Sequence, residues 1–153
     1  MEIPKVIQVE SRPTASIHLV IPRDDCRQLF GPAVSEVMKA LAAQGLKPAG
    51  ALFSYHLKNP GDIFDFEIGV PVSEPFEATG RVKASHLPAS QVAVALYQGG
   101  FEGLGSAWGE LDRWIRDNDM TPASSLWETY LAGPEISPNP DDWRTELTRP
   151  LLA

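Results

Sequence analysis

Residues 31–57, GPAVSEVMKALAAQGLKPAGALFSYHL, return 74 positions later as residues 105–131, GSAWGELDRWIRDNDMTPASSLWETYL. Gly31 meets Gly105, Glu36 meets Glu110, Val37 meets Leu111, Lys39 meets Arg113 and Leu41 meets Ile115. Further on, Leu46 falls on Met120, Pro48 on Pro122, Phe53 on Trp127 and Leu57 on Leu131. Upstream the match continues at an offset of 75, with Pro13 over Pro88, Ile17 over Val92 and Leu19 over Val94. Downstream the offset is 79, and Glu67-Ile68-x-x-Pro71-Val72 lies over Glu146-Leu147-x-x-Pro150-Leu151. Self-similarity on this scale constrains architecture before any local reading does. Two long copies, over about 5–75 and 80–153, predict one domain spanning 1–153 with pseudo-twofold symmetry. A small-molecule cleft is expected at the seam between such halves.

Each copy reads as strand, helix, strand, strand. Ser16–Ile21 is almost wholly apolar and β-branched, the pattern of a strand buried on both faces. Pro22 breaks it, and Asp24-Asp25 suit a helix N-terminus by capping and by the dipole. From Arg27 to Ala43, Phe30, Val34, Val37, Met38 and Leu41 keep helical spacing, and Gly45 and Pro48 end the helix. Ala51–Leu57 and Ile63–Val70 are strands joined by the turn Lys58-Asn59-Pro60-Gly61-Asp62, with Gly80–His86 a connecting strand. The second copy gives a strand over Gln91–Tyr97 and a helix over Phe101–Arg116, followed by strands over Leu126–Leu131 and Trp143–Thr148. The fold class is α+β: antiparallel sheets and two main helices around a central pocket.

Composition narrows the functional classes. With 13 basic against 20 acidic residues the net charge is −7 and no Lys/Arg cluster occurs, so no direct nucleic-acid partner is expected. A single cysteine, Cys26, forms no internal disulfide and suits a reducing compartment. No apolar signal segment and no membrane-length apolar run is present, which predicts a soluble, cytoplasmic protein. His18, His56 and His86 stand apart from one another, so no metal site is expected. No G-x-S-x-G, Walker-type or G-x-G-x-x-G sequence calls for a nucleophile elbow or a nucleotide cofactor, and no cofactor is assigned. Gly99-Gly100-x-x-Gly103-x-Gly105 reads as a turn with close helix packing.

Strand parity suggests where chemistry gathers, because alternate residues face opposite sides of a sheet. Leu126, Glu128 and Tyr130 share one face, and the repeat puts Ser54 and His56 where Glu128 and Tyr130 stand. If each helix covers the more apolar face, the other collects Glu128, Tyr130, Glu146, Glu67, His56 and Ser54. Phe53 and Tyr55 then belong to the core under the first helix.

Four stretches carry a family resemblance. Trp127-Glu128-Thr129-Tyr130-Leu131 precedes a Pro-rich loop, then Trp143-Arg144-Thr145-Glu146-Leu147-x-x-Pro150-Leu151. Tyr97-Gln98-Gly99-Gly100-Phe101-Glu102-Gly103-Leu104 and Glu67-Ile68-Gly69-Val70-Pro71-Val72 complete the set. In this order they resemble the GyrI-like small-molecule-binding family, which includes effector-binding domains of AraC-type and MerR-type multidrug regulators. The resemblance implies tandem modules around a pocket whose buried acid receives lipophilic cations, with Glu128 as that acid and Glu146 as a second. It also implies that Trp108 lies at the pocket wall. No DNA-binding segment accompanies these motifs, so the expectation is a stand-alone version.

The residues expected to contact ligand are Glu128, Tyr130, Glu146, Trp108, Phe101, His56, Ser54 and Glu67. A buried carboxylate costs several kcal/mol unless it is paired, hydrogen-bonded or protonated. A cation relieves that cost, and aromatic walls add roughly 0.5–2 kcal/mol of cation–π attraction per ring. Glu146 and Glu67 could equally hold structural partners, with Arg144 and Arg81 as candidates. Three functions follow. The first is a protein that sequesters or senses amphipathic cationic compounds. The second is a hydrolase of strained, cyclopropane-bearing molecules using Glu128, Tyr130 and Glu146. The third is a gyrase-inhibitor-type module whose acidic surface meets a protein partner.

Overall fold

In the computed structural model, which describes residues 1–134 and 136–152, eight strands build one antiparallel sheet. The chain runs β1 (Lys5–Val9), β2 (Arg12–Pro22), α1 (Cys26–Ala43), β3 (Phe53–His56), β4 (Ile63–Pro71), β5 (Val82–Leu87), β6 (Ser90–Gln98), α2 (Leu104–Asp117), β7 (Leu126–Ala132) and β8 (Arg144–Pro150). The sheet order is β1-β6-β8-β7-β3-β4-β2-β5, which reads symmetrically from the β7–β3 seam outward. β1 pairs with β6, and β5 pairs with β2, so each half lends its outer strand to the other. The sequence reading found no strand at 5–9; a short edge segment with little alternation gives no periodic signal. The loop expected over Ala132–Asp142 includes Glu135, which lies outside the described residues.

Register corrects one part of the repeat. Ile17 stands opposite Ile68, and Ala95 stands opposite Leu147. Ile68 and Leu147 are 79 apart, so Ile17 corresponds to Ala95, an offset of 78 where apolar matching suggested 75. Val6 opposite Ala93 and Ala15 opposite Ala84 give 78 again. A strand apolar on both faces lacks the alternation that would pin its alignment. The helices keep the 74-residue relation: Ala33 and Ala107, Val37 and Leu111, and Leu41 and Ile115 are all buried.

Both helices lie on one face of the sheet. Under α1, Val37 and Leu41 pack on Ala15, Ile17, Phe66, Ile68 and Val70. Under α2, Leu111 and Ile115 pack on Ala93, Ala95 and Leu147. Each such buried aliphatic side chain contributes about 1.5–3 kcal/mol. Asp24 lies in a 3-10 turn and Asp25 at the helix start, but neither caps α1 through its side chain, so their expected contribution reduces to the dipole. Among the described residues no helix is long and apolar enough to cross a membrane.

The opposite face is also apolar. Phe53, Tyr55 and Trp127 cluster there with Val92, Val94, Leu87 and Val9, drawing on central strands and on both outer strands. The sheet therefore curls around this face into a half-barrel. Phe53 and Tyr55 pack in this concave core, contrary to the expectation that they lie under α1. β2 and β4 approach closely at Gly69, where a Cβ would come within 2.7 and 2.9 Å of Ser16 Cβ and Cα. Gly69→Ala should destabilise the fold by about 2 kcal/mol through overpacking. A urea midpoint equal to wild type would show that the β2–β4 backbone yields instead.

Candidate functional site

The seam between the helices is floored by β3 and β7. Residues opposed across a ladder share a face, so register decides what the floor presents. Ser54 is opposite both Glu128 and Ile68, and Glu128 is opposite Leu147. His56 is opposite Phe66 and Leu126. The row Ile68-Ser54-Glu128-Leu147 thus faces the helices, with the His56 row on one side and Tyr130 on the other. Two helices, each packed on its own half, leave a gap above these rows. That gap is a cavity of about 550 Å³.

Glu128 is half-buried on this floor and held by two neutral donors. Trp108 Nε1 of α2 donates to Oε2 at 2.7 Å, and the Tyr130 hydroxyl donates to Oε1 at 2.8 Å. A phenol has one proton to give, so the 2.8 Å contact between Ser54 Oγ and Tyr130 Oη has serine as its donor. The relay runs Ser54 to Tyr130 to Glu128. Burial first, and the Glu128 charge second, push the Tyr130 phenol well above its usual value, which keeps its proton in place. Phe30 of α1 and Phe101 meet the Tyr130 ring edge-on at 5.9 and 6.0 Å, and Phe101 also lies 4.9 Å from Trp143. These rings wall the carboxylate on several sides.

Six of the eight sequence-proposed residues meet at this cavity: Glu128, Tyr130, Trp108, Phe101, His56 and Ser54. Glu67 and Glu146 do not. Glu67 is opposite Tyr55, and Glu146 is opposite Thr129, which puts both on the concave face. The parity expectation failed because Glu128 stands across from Leu147, so the helix-covered face is the one bearing the acid. Trp127 fills the other face. Glu67 accepts hydrogen bonds from Ser16 at 3.2 Å and Ser85 at 2.8 Å, while Arg81 pairs with Glu36 at 3.1 Å.

Sequence reading missed Arg149, Asp112, Phe64, Phe66 and Cys26 as lining groups. Arg149 was legible in principle, since it shares its strand face with Leu147. Burial, then the Glu128 charge, push the Cys26 thiol up, away from the thiolate form. The Gly99–Gly103 turn packs closely as expected, with Tyr97 donating to the Gly100 carbonyl at 2.7 Å and filling the space beside Gly103.

His56 is buried against Phe66, stacked at 5.0 Å with 9° between planes, and meets Phe64 edge-on at 5.0 Å. Burial lowers its imidazole from 6.5 to about 4. The folded state thus binds a proton less readily than the unfolded chain. Its stabilising share is present above about pH 6.5 and is lost as pH falls toward about 4, up to roughly 3 kcal/mol. His56→Phe should flatten the stability–pH curve across that window, measured by urea unfolding at stepped pH. An unchanged slope would assign the acid sensitivity to other groups.

The sequence profile of the GyrI-like small molecule binding domain matches residues 4–152. The EcmrR C-terminal domain superposes with a TM-score of 0.86 at 21% identity, over 98% of this chain and 97% of that one. EcmrR in its DNA complex gives 0.84 at 23% over 97% of this chain, which spans 57% of that longer chain. SAV2435 bound to tetraphenylphosphonium gives 0.68 at 14%, over 99% of this chain and 95% of that one. At these identities the likeness is one of fold. No curated protein matches. The matched profile covers nearly the whole chain, and the protein belongs to the GyrI-like small-molecule-binding family.

Proposed function

We propose that this protein sequesters or senses amphipathic, cationic aromatic compounds in the cavity between α1 and α2, with Glu128 as the acid that receives the positive charge. The observation that carries this reading is the state of Glu128. Its recorded partners are an indole and a phenol, both neutral, so the carboxylate is oriented but its charge is not cancelled. A negative charge in a partly desolvated, ring-lined cavity attracts a cation whose own hydration is weak. SAV2435, a fold relative, is bound to a lipophilic cation of this class, tetraphenylphosphonium. The cavity volume lies within the range of small-molecule sites.

Hydrolysis by the same acid has less support. A general base needs a lone pair directed at a water, and each Glu128 oxygen already spends one of its two lone pairs on a hydrogen bond from Trp108 or Tyr130, which lowers its basicity. Glu146, the other proposed acid, faces away from the cavity.

Titration with tetraphenylphosphonium and with neutral triphenylphosphine oxide, followed by tryptophan fluorescence, tests the reading. The cation should bind and be recovered intact, and the neutral compound should bind far more weakly. Glu128→Gln should keep the thermal midpoint near wild type and weaken cation binding roughly ten- to a hundredfold. Equal affinity would remove Glu128 from this role. Trp108→Phe should abolish most of the ligand-dependent fluorescence change, since Trp108 is the indole bonded to Glu128. A full signal in that variant would place the ligand near another of the four tryptophans.

A further inference from the structure

The cavity floor carries an arginine that a site for simple lipophilic cations has no use for. Arg149 lies two residues beyond Leu147 on β8, and Leu147 stands opposite Glu128. Glu128 and Arg149 are thus diagonal neighbours on one face, positions roughly 7–8 Å apart. Two long side chains at that spacing can close an ion pair. Instead they turn away from each other. Glu128 is drawn to Trp108 and Tyr130. Arg149 donates from Nε to the Ala123 carbonyl at 2.9 Å and sets Nη1 3.5 Å from Asp112 Oδ1.

That second arrangement is incomplete. Among the described residues, neither Asp112 Oδ1 nor His56 Nδ1, both buried, has a hydrogen-bond partner. Arg149 and His56 are each only 6% exposed, and all three residues line the cavity. Burial lowers the Arg149 guanidinium from its ordinary value; Asp112 opposes the shift and Arg116 adds to it. Arg149 thus has one good hydrogen bond and one long contact, which leaves guanidinium N–H groups to donate to a further acceptor. It also repels a simple cation placed at Glu128.

We propose that Arg149, with Asp112 beside it, is a second recognition point that takes an oxygen acceptor, preferentially a carboxylate, of a ligand whose cationic group sits at Glu128. The ligand class is a zwitterionic amphiphile: an aromatic body with a cation at one end and a carboxylate at the other. A guanidinium meets a carboxylate through paired N–H donors, and that contact supersedes the long approach to Asp112. This inference rests on the reading of Glu128 as the cation-receiving acid, and deepens it.

The test compares tetraphenylphosphonium, (4-carboxyphenyl)triphenylphosphonium and the methyl ester of the latter, titrated into the full chain by tryptophan fluorescence. The carboxylate should bind about tenfold tighter than its ester. Asp112→Asn, which removes the competing negative charge, should widen that ratio. Arg149→Met should collapse it to about one while tightening tetraphenylphosphonium. If the carboxylate binds no tighter than the ester while tetraphenylphosphonium binds well, this proposal fails and the cation reading stands. A preference that survives in Arg149→Met also overturns it. If that variant does not fold, the wild-type ratio and its response to Asp112→Asn decide. Binding of none of the three probes would remove the cation reading and this inference together.

Discussion

The pairing of β3 with β7 governs the rest of the molecule. Its ladder sets Ser54 against Glu128, Tyr55 against Trp127 and His56 against Leu126, and it joins the inner edges of the two halves. Without it, each half would expose an unpaired row of backbone N–H and C=O groups, which buried structure does not tolerate. Because the seam is backbone to backbone, α1 and α2 rest on separate sets of strands and cannot close over the centre. The cavity is the space that this arrangement leaves. The exchanged outer strands, β1 on β6 and β5 on β2, tie the halves again at the rims.

A sheet with cores on both faces leaves little room for charge. The concave core around Phe53 and Trp127 holds the curl, and the helices seal two patches of the other face. Polar groups on the helix-facing floor are concentrated where neither helix covers it. Glu128 is kept there by donors that carry no charge of their own, and Tyr130 holds its proton because ionisation would place a second negative charge in the same desolvated space. His56 is held neutral by burial alone, which penalises its charged form. The floor is thus a set of oriented dipoles around one carboxylate, with Arg149 and Asp112 beside them.

Much of this was legible in the chain. Helical spacing located α1 and α2 and even their equivalent buried positions, because three or four residues per turn leave a distinctive apolar stripe. Turn chemistry at Asn59-Pro60-Gly61 separated β3 from β4. Glu128 and Tyr130, two residues apart on one strand, necessarily share a face, whereas Trp108 was placed at the pocket wall only by the family resemblance. The face itself was misread, and Glu67 and Glu146 with it. Parity says which residues go together, but only the neighbouring strand says which side they look toward. Arg149 escaped notice for the same reason.

The amino-acid sequence by itself therefore determined the local elements, the repetition of helix and strand, and the pairing of Glu128 with Tyr130 on one strand face. Periodicity and turn propensity are short-range properties written in each segment. The tertiary structure decided the register, the exchange of outer strands, the curl that buries Trp127 on the concave side, and the single face on which Glu128, Tyr130, Ser54, His56 and Arg149 meet. In strands apolar on both sides a shift of one residue reverses every side chain without altering the local pattern. That choice is made by long-range packing and hydrogen bonding between strands far apart in the chain.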